Sequence, residues 1–191
     1  MSTVRPGNQA ALVVVDVQVG VVAKAWDVSR VVLNVARAVE RAREHGVPVI
    51  WVQHEGPDLP RDSAAWQLAP ALLPAAGEAR VYKCFESSFE ETPLETLLAQ
   101  AGATHVVLAG ASTNWCIRAT AYAALDRGYD LTLLKDAHTT SDIALENGGK
   151  VEASGIVTDL NVTMTWLSYP GRKNGTAATE DMDFSVPGGA R

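Results

Sequence analysis

Cys116 stands in a sequence context that favours acyl-transfer chemistry. The segment GASTNWC (residues 110–116) leads from an apolar stretch into a predicted helix, so the thiol lies in the helix's first turn. The free N–H groups and dipole at a helix start stabilise a thiolate, lowering its pKa from about 8.5 toward neutrality. The same N–H groups could hold the oxyanion of a tetrahedral intermediate. The alternative is an inert core thiol, the commonest fate of a free cysteine.

Two further ionisable residues follow apolar segments in the same way. Asp16 ends a valine-rich stretch, where poor solvation raises the pKa of a carboxyl group and suits it to proton transfer. It could equally be a cap that starts a loop. Lys83 ends another short apolar segment and, taken alone, is more typical of a solvated charge at a sheet edge. Cys84 follows it directly, points to the opposite face and is predicted to lie in the core.

The elements that must position these residues alternate between strands and helices. Apolar, β-branched runs predict strands at 10–17, 47–53, 79–83, 105–110, 131–136 and 162–169, and helical periodicity or capping predicts helices at 28–44, 92–100, 114–127 and 143–159. This alternation predicts a doubly wound α/β fold, three-layer α/β/α, with a six-stranded parallel sheet. Ligands bind at the carboxyl ends of such strands, where Asp16, Lys83 and the Cys116 segment lie.

Length and composition limit the possible partners. The 191 residues fit one domain, assigned to 1–169, followed by a tail over 170–191 rich in Gly, Pro, Ser and Thr. We expect this tail to be flexible or to clasp a partner subunit. The formal net charge of −6 argues against nucleic acid or an anionic membrane as the main partner. With no evident secretory signal and no apolar run near the roughly 20 residues that span a bilayer, we expect a soluble, cytoplasmic protein with reduced thiols.

Three segments resemble, in chain order, the isochorismatase-like cysteine hydrolases: VVVDVQ (13–18), VYKCFESSF (81–89) and GASTNWCIRATAYAALDRGYDLTLLKDA (110–137). This superfamily includes nicotinamidase, N-carbamoylsarcosine amidohydrolase and isochorismatase, and the likeness covers about residues 10 to 169. It implies an isochorismatase-like, Rossmann-type fold and an Asp-Lys-Cys triad of Asp16, Lys83 and Cys116. In that family the cysteine is the nucleophile, the aspartate its general base, and the lysine ammonium holds both in register.

The resemblance also implies details of the reaction. A cis peptide at Ala111–Ser112 would turn the Ser112 N–H inward to form an oxyanion hole with the Cys116 N–H. Isochorismatases proper commonly lack this cysteine, so its presence favours cleavage of a C–N bond, in a small amide or carbamoyl compound, through a thioester. No cofactor is implied, and family members usually assemble as homodimers or homotetramers. The alternatives are a redox-sensing or non-catalytic binding protein on the same fold, and a metal-dependent nicotinamidase.

Other residues are candidates for contacts with the substrate. Nicotinamidases carry an aspartate and two histidines after the second strand, whereas this chain offers only His54 with Glu55 and Asp58. That is a thin ligand set, so we expect no metal and assign His54 and Gln18 as substrate contacts. Trp66, Phe89 and Trp115 are candidate hydrophobic walls, and for each the alternative is core packing. The other histidines, His45, His105 and His138, are interpreted as structural or exposed.

Overall fold

A parallel sheet forms the centre of the molecule in the computed structural model, which describes residues 5–185. The strands are β1 (Gln9–Val15), β2 (Val49–His54), β3 (Ala79–Lys83), β4 (Ala103–Ala111), β5 (Asp130–Thr139), β6 (Ile143–Ala144), β7 (Lys150–Val151) and β8 (Asn174–Ala177). Six of them form one sheet in the order β3-β2-β1-β4-β5-β8, with every neighbouring pair parallel. β6 and β7 form a separate antiparallel pair.

Helices cover both faces of this sheet. They are α1 (Val19–Val22), α2 (Val28–Glu44), α3 (Leu94–Gln100), α4 (Arg118–Asp126) and α5 (Ala153–Trp166), and a π-helical turn spans Thr113–Ile117. One apolar cluster joins α2 to the sheet, and a second joins α3, α4 and α5 to the opposite face. The three-layer α/β/α architecture with a six-stranded parallel sheet is therefore confirmed.

The sequence pattern explains why β1 lies at the centre. Leu12 and Val14 pack into the cluster beneath α2, whereas Ala11, Val13 and Val15 pack into the opposite cluster. Because both faces are buried, every position must be apolar and the usual alternation disappears. The carboxyl end of β1 therefore lies near the middle of the row of strand ends, between the ends of β2 and β4.

The carboxyl-terminal third of the chain differs from the sequence-based expectation. The predicted helix over 143–159 is correct only for 153–159, because a short hairpin occupies 143–151. The predicted strand over 162–169 is wrong, because α5 continues to Trp166. The buried residues of α5 recur at helical spacing through both predicted segments: Ala153, Ile156, Val157, Leu160 and Met164. Packing of this stripe on the sheet overrides the strand propensity of the valine, threonines and tryptophan near its end.

The expected flexible tail is also corrected. The sixth strand of the sheet is β8, which pairs with β5 inside the segment assigned to the tail. Met182 and Phe184 pack into the apolar cluster beneath α2, and the Arg41 guanidinium donates hydrogen bonds to the carbonyls of Thr179 and Met182. Residues up to 185 therefore belong to the same folded unit as 5–169. Residues 186–191 of the proposed tail lie outside the described part of the chain, as do residues 1–4.

None of the helices within residues 5–185 combines the length and the apolar character needed to cross a membrane.

Candidate active site

The carboxyl ends of neighbouring strands bring four chemically active side chains together. β3 ends at Lys83, β2 at His54, and Asp16 follows β1. Cys116 comes from the π-helical turn Thr113–Ile117 that follows β4, hereafter the Cys116 turn. Because parallel strands all end at the same edge, residues far apart in sequence meet there. The structure thus brings together the three residues Asp16, Lys83 and Cys116 that the sequence analysis assigned to a triad.

Asp16 is held in an unusual environment. Its backbone lies in the left-handed region, with φ 51°, a conformation that aspartate tolerates better than most residues. The residue is completely buried, and burial raises the pKa of its carboxyl group above the ordinary value, although the charge of Lys83 opposes this. A carboxyl group that takes up a proton more readily than usual is suited to act as a base toward a weakly acidic donor.

Lys83 lies at the centre of the cluster. Its Nζ is 2.7 Å from Asp16 Oδ2 and 3.2 Å from Cys116 Sγ. It also donates to the Phe85 carbonyl at 3.0 Å and approaches His54 Nδ1 at 3.3 Å. Burial alone lowers the pKa of this ammonium, but the charges of Asp16 and Cys116 raise it above the ordinary value. The Lys83 ammonium therefore lies beside both groups that could carry a negative charge, the Asp16 carboxylate and the Cys116 sulfur.

The thiol of Cys116 is less acidic than its position in the sequence suggests. Burial and the negative charge of Asp16 raise its pKa to about 12, although Lys83 acts in the opposite direction. The expectation that a helix start lowers this pKa toward neutrality is wrong for the resting site. Cys116 does lie near a helix start, because the turn Thr113–Ile117 runs directly into α4 at Arg118, but burial and the Asp16 carboxylate outweigh that position. Forming the thiolate requires a partner that accepts its proton.

The backbone of the Cys116 turn forms a single π-helical turn. The Ala111–Ser112 peptide that precedes it is cis, as the family resemblance implies. The Ser112 carbonyl accepts hydrogen bonds from the N–H groups of Trp115 and Ile117, both at 3.1 Å. The turn therefore closes on Ser112 and holds Cys116 between two backbone bonds to the same oxygen.

Gly110 explains how β4 approaches β1 so closely beneath the site. Its φ is 130°, and a Cβ atom there would lie 1.9 Å from the Val15 carbonyl oxygen. Only glycine fits here, because any side chain would clash with the Val15 carbonyl and an L residue rarely adopts this backbone conformation. This close contact sets the distance between the turn after β4 and Asp16 after β1.

Gln18 is a structural tie and not the substrate contact that the sequence predicts. It is completely buried, and its amide Nε2 donates to the carbonyls of His54 and Trp66 at 3.0 and 2.9 Å. Its Oε1 accepts from the His54 N–H at 2.8 Å. The side chain therefore fixes the end of β2, and with it His54, to the segment after β1.

Two of the three aromatic candidates pack inside the protein. Trp66 is buried with its ring centroid 5.6 Å from that of Tyr82. Phe89 belongs to the apolar cluster beneath α3 and α4, where its ring lies 5.9 Å from that of Tyr129. For both, the core-packing alternative describes the structure better than a pocket wall. Trp115 is 59% exposed beside Cys116 and remains the candidate wall.

His54 belongs to a group of side chains whose spacing would allow a metal ion to bind. Among residues 5–185, metal-ligand spacing is found for Asp16, His54 and Cys116, whose ligand atoms lie within 4.8 Å of one another. Glu55 and Asp58, which the sequence analysis considered with His54, are not in this group. The Lys83 ammonium contacts all three members, so a metal ion bound by them would have to displace it.

Three features of the site were missed or misassigned. The Phe85 carbonyl accepts a hydrogen bond from Lys83, and backbone groups of this kind leave no signal in sequence. His138, interpreted as structural or exposed, is structural, and the missed feature is its buried contact with Thr113 of the Cys116 turn. Cys84, predicted to be core, is exposed because β3 is an edge strand that ends at Lys83. The position of His138, directly after Asp136-Ala137 at the end of the third family segment, was the sequence signal that could have pointed to its contact with the Cys116 turn.

Comparisons with known proteins place this geometry in context. A family model described as an isochorismatase domain matches residues 10–165. The chain is 36% identical over 146 residues to streptothricin hydrolase from Streptomyces noursei, covering 72% of this chain and 57% of that protein. It is 29% identical over 178 residues to ureidoacrylate amidohydrolase RutB from Methylobacterium radiotolerans, covering 74% of this chain and 69% of that one. The chain spans about half the length of the streptothricin hydrolases that it matches.

A solved structure supports the same relationship. The crystal structure of an isochorismatase from Pseudomonas putida KT2440 superimposes with a TM-score of 0.82 at 27% sequence identity. The match covers 92% of this chain and 91% of that one, so it includes the sheet and both helical layers.

Proposed function

The chain belongs to the isochorismatase family, and on that premise we propose that it is a cysteine hydrolase that cleaves a C–N bond in a small amide or carbamoyl compound. The observation that carries the proposal is the position of the Lys83 ammonium, 2.7 Å from Asp16 and 3.2 Å from the Cys116 thiol. In this arrangement a proton can pass from sulfur to carboxylate while the positive charge stays beside both.

The first step makes the nucleophile. Asp16 accepts the proton of the Cys116 thiol, which moves the negative charge from carboxylate to sulfur. Lys83 has three N–H donors and four acceptor atoms around it, so one donor can turn from the carboxylate toward the sulfur as the charge moves. The total charge of the cluster is unchanged, which limits the cost of the transfer inside a buried site.

The second step forms the thioester. Cys116 Sγ attacks the substrate carbonyl carbon, a C–S bond forms, and the carbonyl electron pair moves to oxygen. The N–H groups of Ser112 and Cys116 are the proposed donors to this oxyanion. Collapse of the intermediate breaks the C–N bond, and the proton held by Asp16 passes to the departing nitrogen, which leaves as ammonia or an amine.

The third step releases the acid. Asp16, again a carboxylate, takes a proton from water, and the hydroxide attacks the thioester carbon. The C–S bond breaks, the electron pair returns to sulfur, and Asp16 gives the proton back to Cys116. The products are the free acid and the resting triad.

The proposed substrate class draws on the relatives. One is named a streptothricin hydrolase and another a ureidoacrylate amidohydrolase, both names that imply hydrolysis. The triad contributes one carboxylate and one ammonium, which neutralise each other, so a small neutral amide or carbamoyl group suits the site. Trp115 and His54 are the proposed contacts to it. We further expect the protein to act as a homodimer or homotetramer, as sequence resemblance implies.

A redox-sensing role on the same fold is the main rival. Sensor cysteines are acidic and accessible, whereas burial and Asp16 raise the pKa of this thiol to about 12. A sensor also has no need of a buried carboxylate that can accept and return a proton. The site therefore favours turnover over sensing.

The test is ammonia release from a panel of small amides and N-carbamoyl compounds, nicotinamide included, with and without a chelator. We expect at least one compound to be hydrolysed, with activity lost in Cys116→Ser and kept in Cys84→Ser, and unaffected by the chelator. Ammonia release that survives Cys116→Ser would overturn the cysteine mechanism. Activity that the chelator abolishes would support the metal-dependent nicotinamidase, and reversible peroxide modification without any turnover would support the sensor.

A further inference from the structure

A buried chain of three polar side chains links the Cys116 turn to α5. His138, near the end of β5, is buried, and its Nδ1 lies 2.9 Å from the Thr113 hydroxyl. Its Nε2 lies 2.9 Å from Asn161 Oδ1, and Asn161 Nδ2 donates to the Lys135 carbonyl at 3.0 Å. The mechanism proposed above uses none of these groups.

The contacts fix the direction of every hydrogen bond in this chain. Since Asn161 uses its Nδ2 as a donor to a carbonyl, its Oδ1 must accept, and His138 Nε2 must carry the hydrogen. His138 Nδ1 is then an acceptor, and the Thr113 hydroxyl donates to it. Burial lowers the pKa of His138 to about 4, although Asn161 and Asp136 act in the opposite direction, so the ring is neutral near pH 7.

Thr113 occupies a sensitive place in the backbone. It is the first residue of the Cys116 turn and is completely buried directly after Ser112. The next residue, Asn114, is held from the same side, because the Thr140 hydroxyl donates to Asn114 Oδ1 at 2.6 Å. The end of β5 and the residue after it, Thr140, therefore form hydrogen bonds with two successive side chains of the turn, Thr113 and Asn114.

We propose that His138 is a positioning residue that, through Thr113, holds the Cys116 turn at the distance from Asp16 and Lys83 that the reaction needs. This inference rests on the proposed function in taking Cys116 as the reacting group. The fixed tautomer is part of it: Asn161 keeps the hydrogen on Nε2, so Nδ1 always presents a lone pair to Thr113. Without that contact the turn keeps its backbone bonds to Ser112 and the bond between Thr140 and Asn114, but it loses the link through Thr113.

A matched pair of substitutions at Thr113 gives the sharpest test. Thr113→Ser keeps the hydroxyl, whereas Thr113→Val keeps the shape and removes it. Displacing reacting atoms by about 1 Å costs up to about 100-fold in rate, so we expect kcat in Thr113→Val to fall about 10- to 100-fold with KM within about three-fold. We expect Thr113→Ser to remain within about three-fold of the parent in both constants.

A second readout needs no substrate. In a Cys84→Ser background, the rate constant for alkylation of Cys116 by iodoacetamide reports how well the thiol is placed beside Asp16 and Lys83. We expect it to fall at least about five-fold in Thr113→Val but not in Thr113→Ser. If the amide panel shows no turnover, the proposed function fails while this measurement still tests the positioning role.

Variants at the α5 end of the hydrogen-bonded side chains separate a loss of positioning from a loss of stability. Asn161→Ala, at a half-buried helix position, removes the group that fixes the tautomer, and we expect alkylation and kcat to fall about three- to ten-fold. Asn174→Ala is the matched control. Its side chain also ties the carboxyl-terminal part of α5, by donating to the Met164 and Leu167 carbonyls, but does not reach the Cys116 turn. We expect it to lower the melting temperature and leave both rates unchanged.

Two substitutions at His138 test its two hydrogen bonds separately. His138→Asn keeps an acceptor near the position of Nδ1, and His138→Gln keeps a donor near that of Nε2. We expect Asn to preserve alkylation and kcat better than Gln at similar melting temperatures. The proposal is overturned if Thr113→Val, Asn161→Ala and both His138 variants lower only the melting temperature and leave alkylation and kcat as in Asn174→Ala.

Discussion

Replacing Lys83 by methionine tests the charge arrangement on which the proposed reaction depends. The substitution keeps most of the side-chain volume and removes the ammonium. At an effective dielectric constant of about 20, a unit charge 2.7 Å from Asp16 Oδ2 contributes about 6 kcal/mol, and the same charge 3.2 Å from Cys116 Sγ contributes about 5 kcal/mol. The two attractions differ by only about 1 kcal/mol, so Lys83 favours neither position of the negative charge strongly.

Loss of the ammonium raises the pKa of the Asp16 carboxyl group further, which favours a neutral carboxyl group in the resting site. A neutral resting site has no attraction to lose, whereas the thiolate state loses its attraction to Lys83. A loss of about 5 kcal/mol corresponds to between three and four powers of ten in rate, and entry of water recovers part of it, so we expect kcat to fall about 1,000-fold. The assay is ammonia release from the amide that the panel identifies. Alkylation of Cys116 by iodoacetamide, in a Cys84→Ser background, is the companion measurement and needs no substrate.

The same substitution has a pH-dependent effect on the free energy of unfolding. Burial already raises the pKa of Asp16 in the folded protein, and loss of the ammonium raises it further. A carboxyl group whose folded pKa exceeds its unfolded value stabilises the fold below the unfolded pKa, and this stability is lost as the pH rises through the folded pKa. We therefore expect Lys83→Met to cost about 3 kcal/mol at neutral pH and much less near pH 4, measured by urea unfolding.

The double variant Asp16→Asn/Lys83→Met is the control. It removes both charges, so we expect it to be more stable at neutral pH than Lys83→Met alone while remaining inactive. The reasoning is refuted if Lys83→Met keeps kcat within tenfold of the parent. It is also refuted if the stability cost of Lys83→Met is the same at pH 4 and pH 8, or if the double variant is no more stable than the single one.

Three further predictions concern single groups. Cys116→Ser is expected to abolish ammonia release while the far-UV circular dichroism stays unchanged, and Cys84→Ser to retain full activity; equal loss in both variants would contradict the assignment. Asp16→Asn is expected to lower kcat by about 10²- to 10⁴-fold because it removes the general base, and steady-state kinetics that show only a change in KM would count against that role. Gly110→Ala is expected to lower the free energy of unfolding by more than about 4 kcal/mol, since its Cβ would lie 1.9 Å from a carbonyl of β1. Gly155→Ala, in a helix with nothing within 4 Å of its Cβ, is the control and is expected to be neutral or stabilising by up to about 1 kcal/mol.

Strands buried on both faces were the easiest part of the fold to predict. β1, β2, β4 and β5 lie within a few residues of their predicted limits, because a central parallel strand has to be apolar throughout. The partly buried edge strand β3 also has its predicted limits. The carboxyl-terminal region was predicted wrongly for a complementary reason. α5 is rich in residues that also suit strands, and β8, with the sequence NGTA, has no apolar pattern because it pairs as a half-buried edge strand.

The candidate site shows the same division. The family resemblance pointed to Asp16, Lys83 and Cys116, and their places at or after the ends of parallel strands agree with it because those strands end at one edge. The roles of Gln18, Trp66 and Phe89 could not be predicted, since they depend on which loops cover which side chains. A polar or aromatic residue near a site in sequence has two possible environments, and only packing selects between them.

The sequence by itself indicated the family, the parallel sheet and the three residues proposed as the triad, because these follow from residue types and their order along the chain. Only the tertiary structure decided the electrostatics. It buries Asp16, places Lys83 between carboxylate and sulfur, and raises the pKa of Cys116 to about 12 instead of lowering it. It also brings His138 against the Cys116 turn from a strand that sequence analysis did not connect to it. Burial and distance control pKa and reactivity, and neither is a property of a residue's place in the sequence.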